Sequence, residues 1–188
     1  MKFEETRLKG AFLIRATPFE DERGFFARTY CEKEFASHGL NPRVVQCSVS
    51  YSRKRGTLRG LHFQKAPHRE AKLIRCARGA IYDVIVDLRP ESSTFCQWLS
   101  VNLSAAEAHP LMLYVPEGFA HGFQTLEDHT EVHYQMSEFY QAESASGVRW
   151  NDPAFSIDWP ISEVTMSNRD ANYPDFRALI ETGVNGVS

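Results

Sequence analysis

With 188 residues, 43% of them hydrophobic and 24% charged, the chain has the make-up of one ordinary globular domain, not of a disordered or collagen-like polymer. A domain of this size buries about 70% of its unfolded surface, so neither a metal nor a disulfide is needed to hold it together. The formal net charge of -3, with Lys and Arg spread along the chain, argues against a nonspecific nucleic-acid binder.

The first strand signal is AFLIRATPF at 11–19. CEKEFASHG at 31–39 predicts a helix closed by Gly39, the residue type that fits a left-handed cap. TLRGLHFQ (57–64), AKLIRCAR (71–78) and AIYDVIVDLR (80–89) then read as strands, with Gly79 as the hairpin turn between the last two. QWLSVNLS (97–104), LMLYVP (111–116), HGFQTLE (121–127) and TEVHYQMSEFY (130–140) complete the set. These runs are short, rich in Val, Ile, Tyr and Phe, and bounded by Gly, Pro, Asp or Ser. A short helix around DFRALIE follows, and TGVNGVS (182–188) is expected to be loose. About eight regularly spaced strands with almost no helix between them exclude βαβ architecture and favour a barrel or a double-sheet jelly roll, one domain over 1–188.

No run of 18 apolar residues occurs, and the opening MKFEETRLKG is too polar for a signal peptide. Cys31, Cys47, Cys76 and Cys96 lie far apart without a CxxC, which signals neither a zinc site nor a disulfide framework. A cytoplasmic protein with reduced thiols, no membrane partner and no nucleic-acid partner is the expectation.

Seven histidines raise a metal reading. A metal-binding β-barrel wants two His one residue apart on a strand, a carboxylate soon after, and a third His on a later strand. In RGLHFQKAPHREAK the positions two residues either side of His62 are Gly60 and Gln64, so the paired His is missing. PEGFAH supplies only the later half, ending at His121. No metal is expected; a metal-dependent oxygenase or isomerase using His62, His121 and His68 or Glu70 remains a rival.

A stronger constellation runs through DERGFFAR (21–28), GTLRGLHFQ, EAKLIR, YDVIVDLRP, VPEGFAHGF, VHYQMSEFY and GVRWNDPAF…WP…SNRD. Over roughly residues 5 to 176 it closely resembles the dTDP-4-dehydrorhamnose 3,5-epimerase family. The resemblance implies an all-β, double-stranded β-helix or jelly-roll barrel of the cupin kind, with short helical segments near the N- and C-termini. It also implies a homodimer, no cofactor, and a nucleotide-linked 4-keto-6-deoxy sugar as substrate. The ketone acidifies the hydrogens on carbons 3 and 5, because the carbanion spreads onto oxygen as an enolate. Inversion then needs a base on one face, a donor to the enolate oxygen, and an acid on the opposite face.

By the same resemblance His62 is the general base, an imidazole whose ordinary pKa near 6.5 leaves it neutral at cellular pH. Asp170 is the carboxylate that fixes its tautomer, Lys72 the cation near the keto oxygen, and Tyr134 the opposite-face acid. Arg23, Arg59 and Arg169 match positions near the sugar nucleotide, where paired donors suit phosphate. Gln46 matches a polar contact, His121 a pocket histidine, and Tyr140 an aromatic that stacks on thymine. Arg59 and His62 have opposite strand parity, so both reach one pocket only if Gly60 permits a bulge.

Each residue also has a plain alternative. Tyr134 alternates with Val132 and Met136 as a core tyrosine would, Lys72 beside Glu70 suggests a surface ion pair, and Asp170 suits a turn. Four matches in order, inside longer matching strings, outweigh these. The departures fall among the binding positions: Arg28 stands where many relatives carry Glu, Gln46-Cys47-Ser48 replaces a Q-x-N contact, a family glutamate falls near Ala145, and Arg169-Asp170 replaces Lys-Asp. The first candidate reaction is conversion of dTDP-4-dehydro-6-deoxy-D-glucose to dTDP-4-dehydro-L-rhamnose; a single-carbon epimerase of another nucleotide sugar is the near alternative, and a silent sugar-binding module a further one.

Overall fold

The computed structural model describes residues 1–107 and 109–181; the tail 182–188, expected to be loose, lies outside the described residues. The N-terminal region holds β1 (Lys2–Glu5), β2 (Phe12–Arg15), β3 (Pro18–Asp21), β4 (Gly24–Ala27), α1 (Glu32–Ser37) and β5 (Gln46–Ser52). The central strands are β6 (Leu58–Gln64), β7 (Lys72–Arg78), β8 (Ala80–Asp87), β9 (Trp98–Ser104), β10 (Leu111–Val115), β11 (Phe119–Thr125) and β12 (Thr130–Met136). β13 (Ala145–Gly147), α2 (Asn168–Ala171) and α3 (Phe176–Glu181) follow.

Two antiparallel sheets face each other, one in the order β1-β2-β10-β7-β12-β5 and the other β13-β6-β11-β8-β9; β3 and β4 form a separate hairpin. The chain is therefore a double-sheet jelly roll, as its punctuation anticipates, and of the cupin-like kind that the resemblance implies. Period-two alternation explains the core. Ile74 and Cys76 from β7, Val132 from β12, Ile81 and Ile85 from β8, and Phe123 from β11 fill the space between the sheets. The opposite face of β8 and β11 (Val84, Val86, Ala120) is covered by Phe155, Phe176 and Leu179 of the C-terminal segment. Buried on both faces, β8 lacks the alternation of a half-exposed strand. Among the described residues no helix is long and apolar enough to cross a membrane.

The outcome differs from the sequence expectation at several edges. The predicted strand 11–19 is two strands, because its last part leaves β2 and enters the hairpin, where Pro18 sits at the first position of β3. Helix α1 is shorter than 31–39 and ends as foreseen, with Gly39 at φ 72°. Gly79 turns at φ 75° between β7 and β8. Strand β5 gave no signal because its polarity is inverted: Ser48, Ser50 and Ser52 alternate with the outward-facing Cys47, Val49 and Tyr51, and Val49 is 59% exposed.

Candidate active site

Strand register assembles one cleft at the open end between the sheets. On the six-stranded sheet Met136 lies between Gln46 and Lys72, and Tyr134 between Ser48 and Ile74. On the five-stranded sheet His62 lies between Gly147 and His121, and His121 is in turn opposite Ile85. Residues directly opposite on neighbouring strands share a face, so each row presents its side chains together. The cleft between the rows has a volume of about 400 Å³, and His62 and Tyr134 line it from opposite sheets.

The parity conflict between Arg59 and His62 is resolved by an irregularity in the ladder. His121 pairs with His62 and Phe123 with Arg59, so three steps on β6 match two on β11. The extra residue lies at Gly60, whose φ of 145° only glycine adopts readily. A Cβ there would lie 2.5 Å from the Cα of Gly122, so close backbone approach also requires glycine at 60. Arg59 and His62 consequently both line the cleft.

His62 Nε2 is 2.9 Å from Asp170 Oδ1. An ionised carboxylate only accepts hydrogen bonds, so Nε2 carries the proton and Nδ1 keeps the lone pair of a base. Burial alone would raise the Asp170 pKa, but the hydrogen bond and charge of His62, with the Gly60 N–H, bring it below the ordinary value. Asp170 sits in α2, a short helix rather than the turn of its plain alternative, and the Ser167 hydroxyl caps that helix by accepting from the Asp170 N–H. The S-x-x-D spacing of a capping box was the readable signal. Tyr173 packs edge-on to the His62 ring at 5.8 Å.

Tyr134 is enclosed by His121 and Phe123, with ring centroids 6.1 and 6.4 Å away. Burial first, then the nearby Asp83 carboxylate, push its phenol well above the usual value, which keeps it a proton donor. Lys72 meets Glu70 at 2.6 Å as the plain reading anticipated, but with both side chains nearly buried in the cleft wall and not at the surface. Glu70 is held in turn by Gln64, whose amide also bonds Phe139 O and receives Gln141 N–H.

Arg169, Tyr140, Gln46 and Ser48 line the same cleft. Gln46 Oε1 accepts the Tyr140 N–H at 2.6 Å, fixing the exposed Tyr140 just beyond the end of β12. Arg23 and Arg28 are not brought there. Arg23 folds back onto Asp21 at 2.6 Å on the exposed hairpin, and Arg28 lies 3.6 Å from Glu34. Sequence reasoning missed Asp83, which binds His121 at 2.6 Å. Its signal was an acid in the middle of the apolar run of β8. Among the described residues no three His, Cys, Asp or Glu side chains gather where they could hold a metal ion.

The profile of a family described as dTDP-4-dehydrorhamnose 3,5-epimerase matches residues 5–178. A relative of that name from Methanothermobacter thermautotrophicus is 42% identical over 179 residues, 94% of this chain and 95% of its own. Among solved structures, the dTDP-4-dehydrorhamnose 3,5-epimerase of Elizabethkingia anophelis superposes with a TM-score of 0.90 at 45% identity, covering 95% of this chain and 97% of that one. The enzyme of the same name from Bacillus anthracis, solved with TDP and PPi bound, gives 0.88 at 47% identity over 93% and 99%.

Proposed function

We propose that this chain, which belongs to the dTDP-4-dehydrorhamnose 3,5-epimerase family, inverts carbons 3 and 5 of dTDP-4-dehydro-6-deoxy-D-glucose to give dTDP-4-dehydro-L-rhamnose. The observation that carries the reading is the placement of a carboxylate-oriented imidazole and a protonated phenol on facing sheets of one cleft. Nδ1 of His62 takes the proton beside the ketone, and the electrons move onto the keto oxygen as an enolate. Lys72 stabilises that oxygen, a contribution of ~3–4 kcal/mol for one well-placed donor. The Tyr134 hydroxyl then protonates the carbon from the other side, which inverts it. Arg59 and Arg169 hold the two phosphates, and Tyr140, tethered by Gln46, offers a flat face to the thymine. No cofactor enters these steps.

The working form is a cytoplasmic homodimer of single-domain subunits. Phe19, Phe25 and Phe26 of the β3–β4 hairpin are 75%, 53% and 74% exposed, and the outward side of β5 is apolar. Covering each phenylalanine is worth roughly 1.5–3 kcal/mol, which supports a second copy against this surface. Arg23 and Arg28 lie on or beside the same hairpin and join a substrate site through that contact. The four free thiols suit a reducing compartment.

Nuclear magnetic resonance in heavy water tests the reaction. Incubation with dTDP-4-dehydro-6-deoxy-D-glucose should invert both carbons and label both with deuterium. Label and inversion at one carbon alone would make the enzyme a single-carbon epimerase, and no exchange at either would overturn the epimerase reading.

A further inference from the structure

We propose that the His121–Asp83 pair carries the proton that resets Tyr134 after each inversion; this rests on the epimerase reading above. Each inversion leaves the protein unbalanced. The proton taken from carbon sits on His62, and Tyr134 has given its own to the opposite face. Because the product is an isomer of the substrate, nothing is consumed, and the surplus on His62 equals the deficit on Tyr134. An enzyme that inverts two carbons must close this gap between the first and the second.

His121 stands between the two groups. It is directly opposite His62 in the β6–β11 register, which sets their Cβ atoms about 4.5–5.5 Å apart. Its ring lies 6.1 Å from that of Tyr134 at 73°, and it lines the same cleft. Its Nε2 is taken by Asp83 Oδ1 at 2.6 Å, leaving Nδ1 for exchange. Asp83 is fully buried, and its second oxygen has no partner. A buried carboxylate facing a single imidazole is costly if its only role is packing, and hydrophobic residues fill such space at lower cost. It is useful where the imidazole must carry positive charge for part of a cycle, as the carboxylate of a hydrolase triad supports its histidine.

The step balances. The N–H on Nδ1 of His62 breaks as one forms on Nδ1 of His121, giving an imidazolium backed by Asp83. That N–H then breaks as the Tyr134 O–H re-forms, and both histidines end neutral. The proton on the 42% exposed His62 side chain exchanges with solvent before it moves, so both carbons still take deuterium in heavy water, and no bond of the sugar changes.

Rapid-quench kinetics with dTDP-4-dehydro-6-deoxy-D-glucose in heavy water, read by nuclear magnetic resonance, tests this. Asp83→Asn keeps the shape and can keep an oxygen for Nε2–H but removes the charge; His121→Asn removes the carrier and leaves an amide that can still donate to the buried Asp83. Expected is a first inversion at the parental rate, accumulation of singly inverted sugar, and steady turnover lower by roughly 100-fold. Free imidazole should restore part of the turnover of His121→Asn, which also reports that the variant is folded. A raised KM with both inversions slowed equally would make His121 a binding residue and overturn the proposal, as would unchanged kinetics or absence of rescue. If the parent enzyme itself inverts neither carbon, the epimerase reading has failed, not merely this step.

Discussion

Asp170 Oδ1 lies 2.9 Å from Nε2 of His62, across a sequence separation of 108 residues. Without a full carboxylate charge the imidazole loses the partner for its protonated form, and its tautomer is no longer enforced, because an amide can turn either an oxygen or an N–H toward Nε2. Asp170→Asn should therefore lower kcat by about 10²–10⁴ with little change in KM, measured by product formation at saturating substrate. A fall confined to KM would place Asp170 in binding.

Acid should destabilise the protein through a second carboxylate. Asp87 is completely buried; burial raises its pKa, but bonds from Arg89, Ser92 and Thr94 outweigh that and hold it below the ordinary value. A depressed folded-state pKa contributes stability that is complete above the unfolded value and lost as pH falls through the folded one. Melting temperature should thus fall below about pH 4, the ordinary aspartate range, and more steeply in the parent than in Asp87→Asn. Calorimetry across pH 2–6 checks this; identical slopes would show that Asp87 is not the source.

Gly60→Ala should be severe. The added methyl meets the Gly122 backbone at 2.5 Å and the φ of 145° is hostile to any side chain, so nothing flexible can yield. Strain and overpacking together predict a loss of roughly 2–4 kcal/mol in denaturant unfolding. Gly24→Ala is the comparison within the strained class, since its φ is 121° but its Cβ meets nothing within 4 Å; its loss should be smaller.

Tyr134→Phe keeps the ring contacts with His121 and Phe123 and removes only the hydroxyl. Deuterium should still enter carbons 3 and 5 from the His62 side, with retained configuration, while inversion falls by at least about 100-fold. Loss of exchange and inversion in equal measure would assign the phenol to substrate binding.

Replacing Phe25 and Phe26 together by Ser should shift the protein from dimer to monomer in sedimentation and lower activity, with the melting profile of the isolated subunit retained. These side chains touch solvent, so the change removes no core packing within the subunit. Dimers persisting at micromolar concentration would reject the hairpin as the contact.

The central strands were legible because apolar runs and glycine punctuation recur at even spacing; β7, β8 and the Gly79 turn lie where those signals place them. What stayed hidden follows from pairing in space. β5 carries its apolar side outward, β13 is three residues long, and α2 is one turn held by a serine cap. His62, Tyr134 and Lys72 could be singled out by motif resemblance, and strand parity pointed to the bulge at Gly60 that admits Arg59, yet the convergence of the three depends on cross-strand register, which no local pattern encodes. The Gln64–Glu70 bond and the Asp83–His121 pair escaped because each joins residues whose hydrogen bonds appear only once the chain is folded.

The segment after β13 contributes both the carboxylate beside His62 and the apolar residues Phe155, Phe176 and Leu179 that seal the outer face of β8 and β11. During synthesis the ribosome delivers the two sheets first and this closing strap last. A chain that has made only the sheets lacks the carboxylate beside His62, so turnover should rise once this segment docks, and a nick within it should lower activity while leaving the sheets' spectroscopic signature in place.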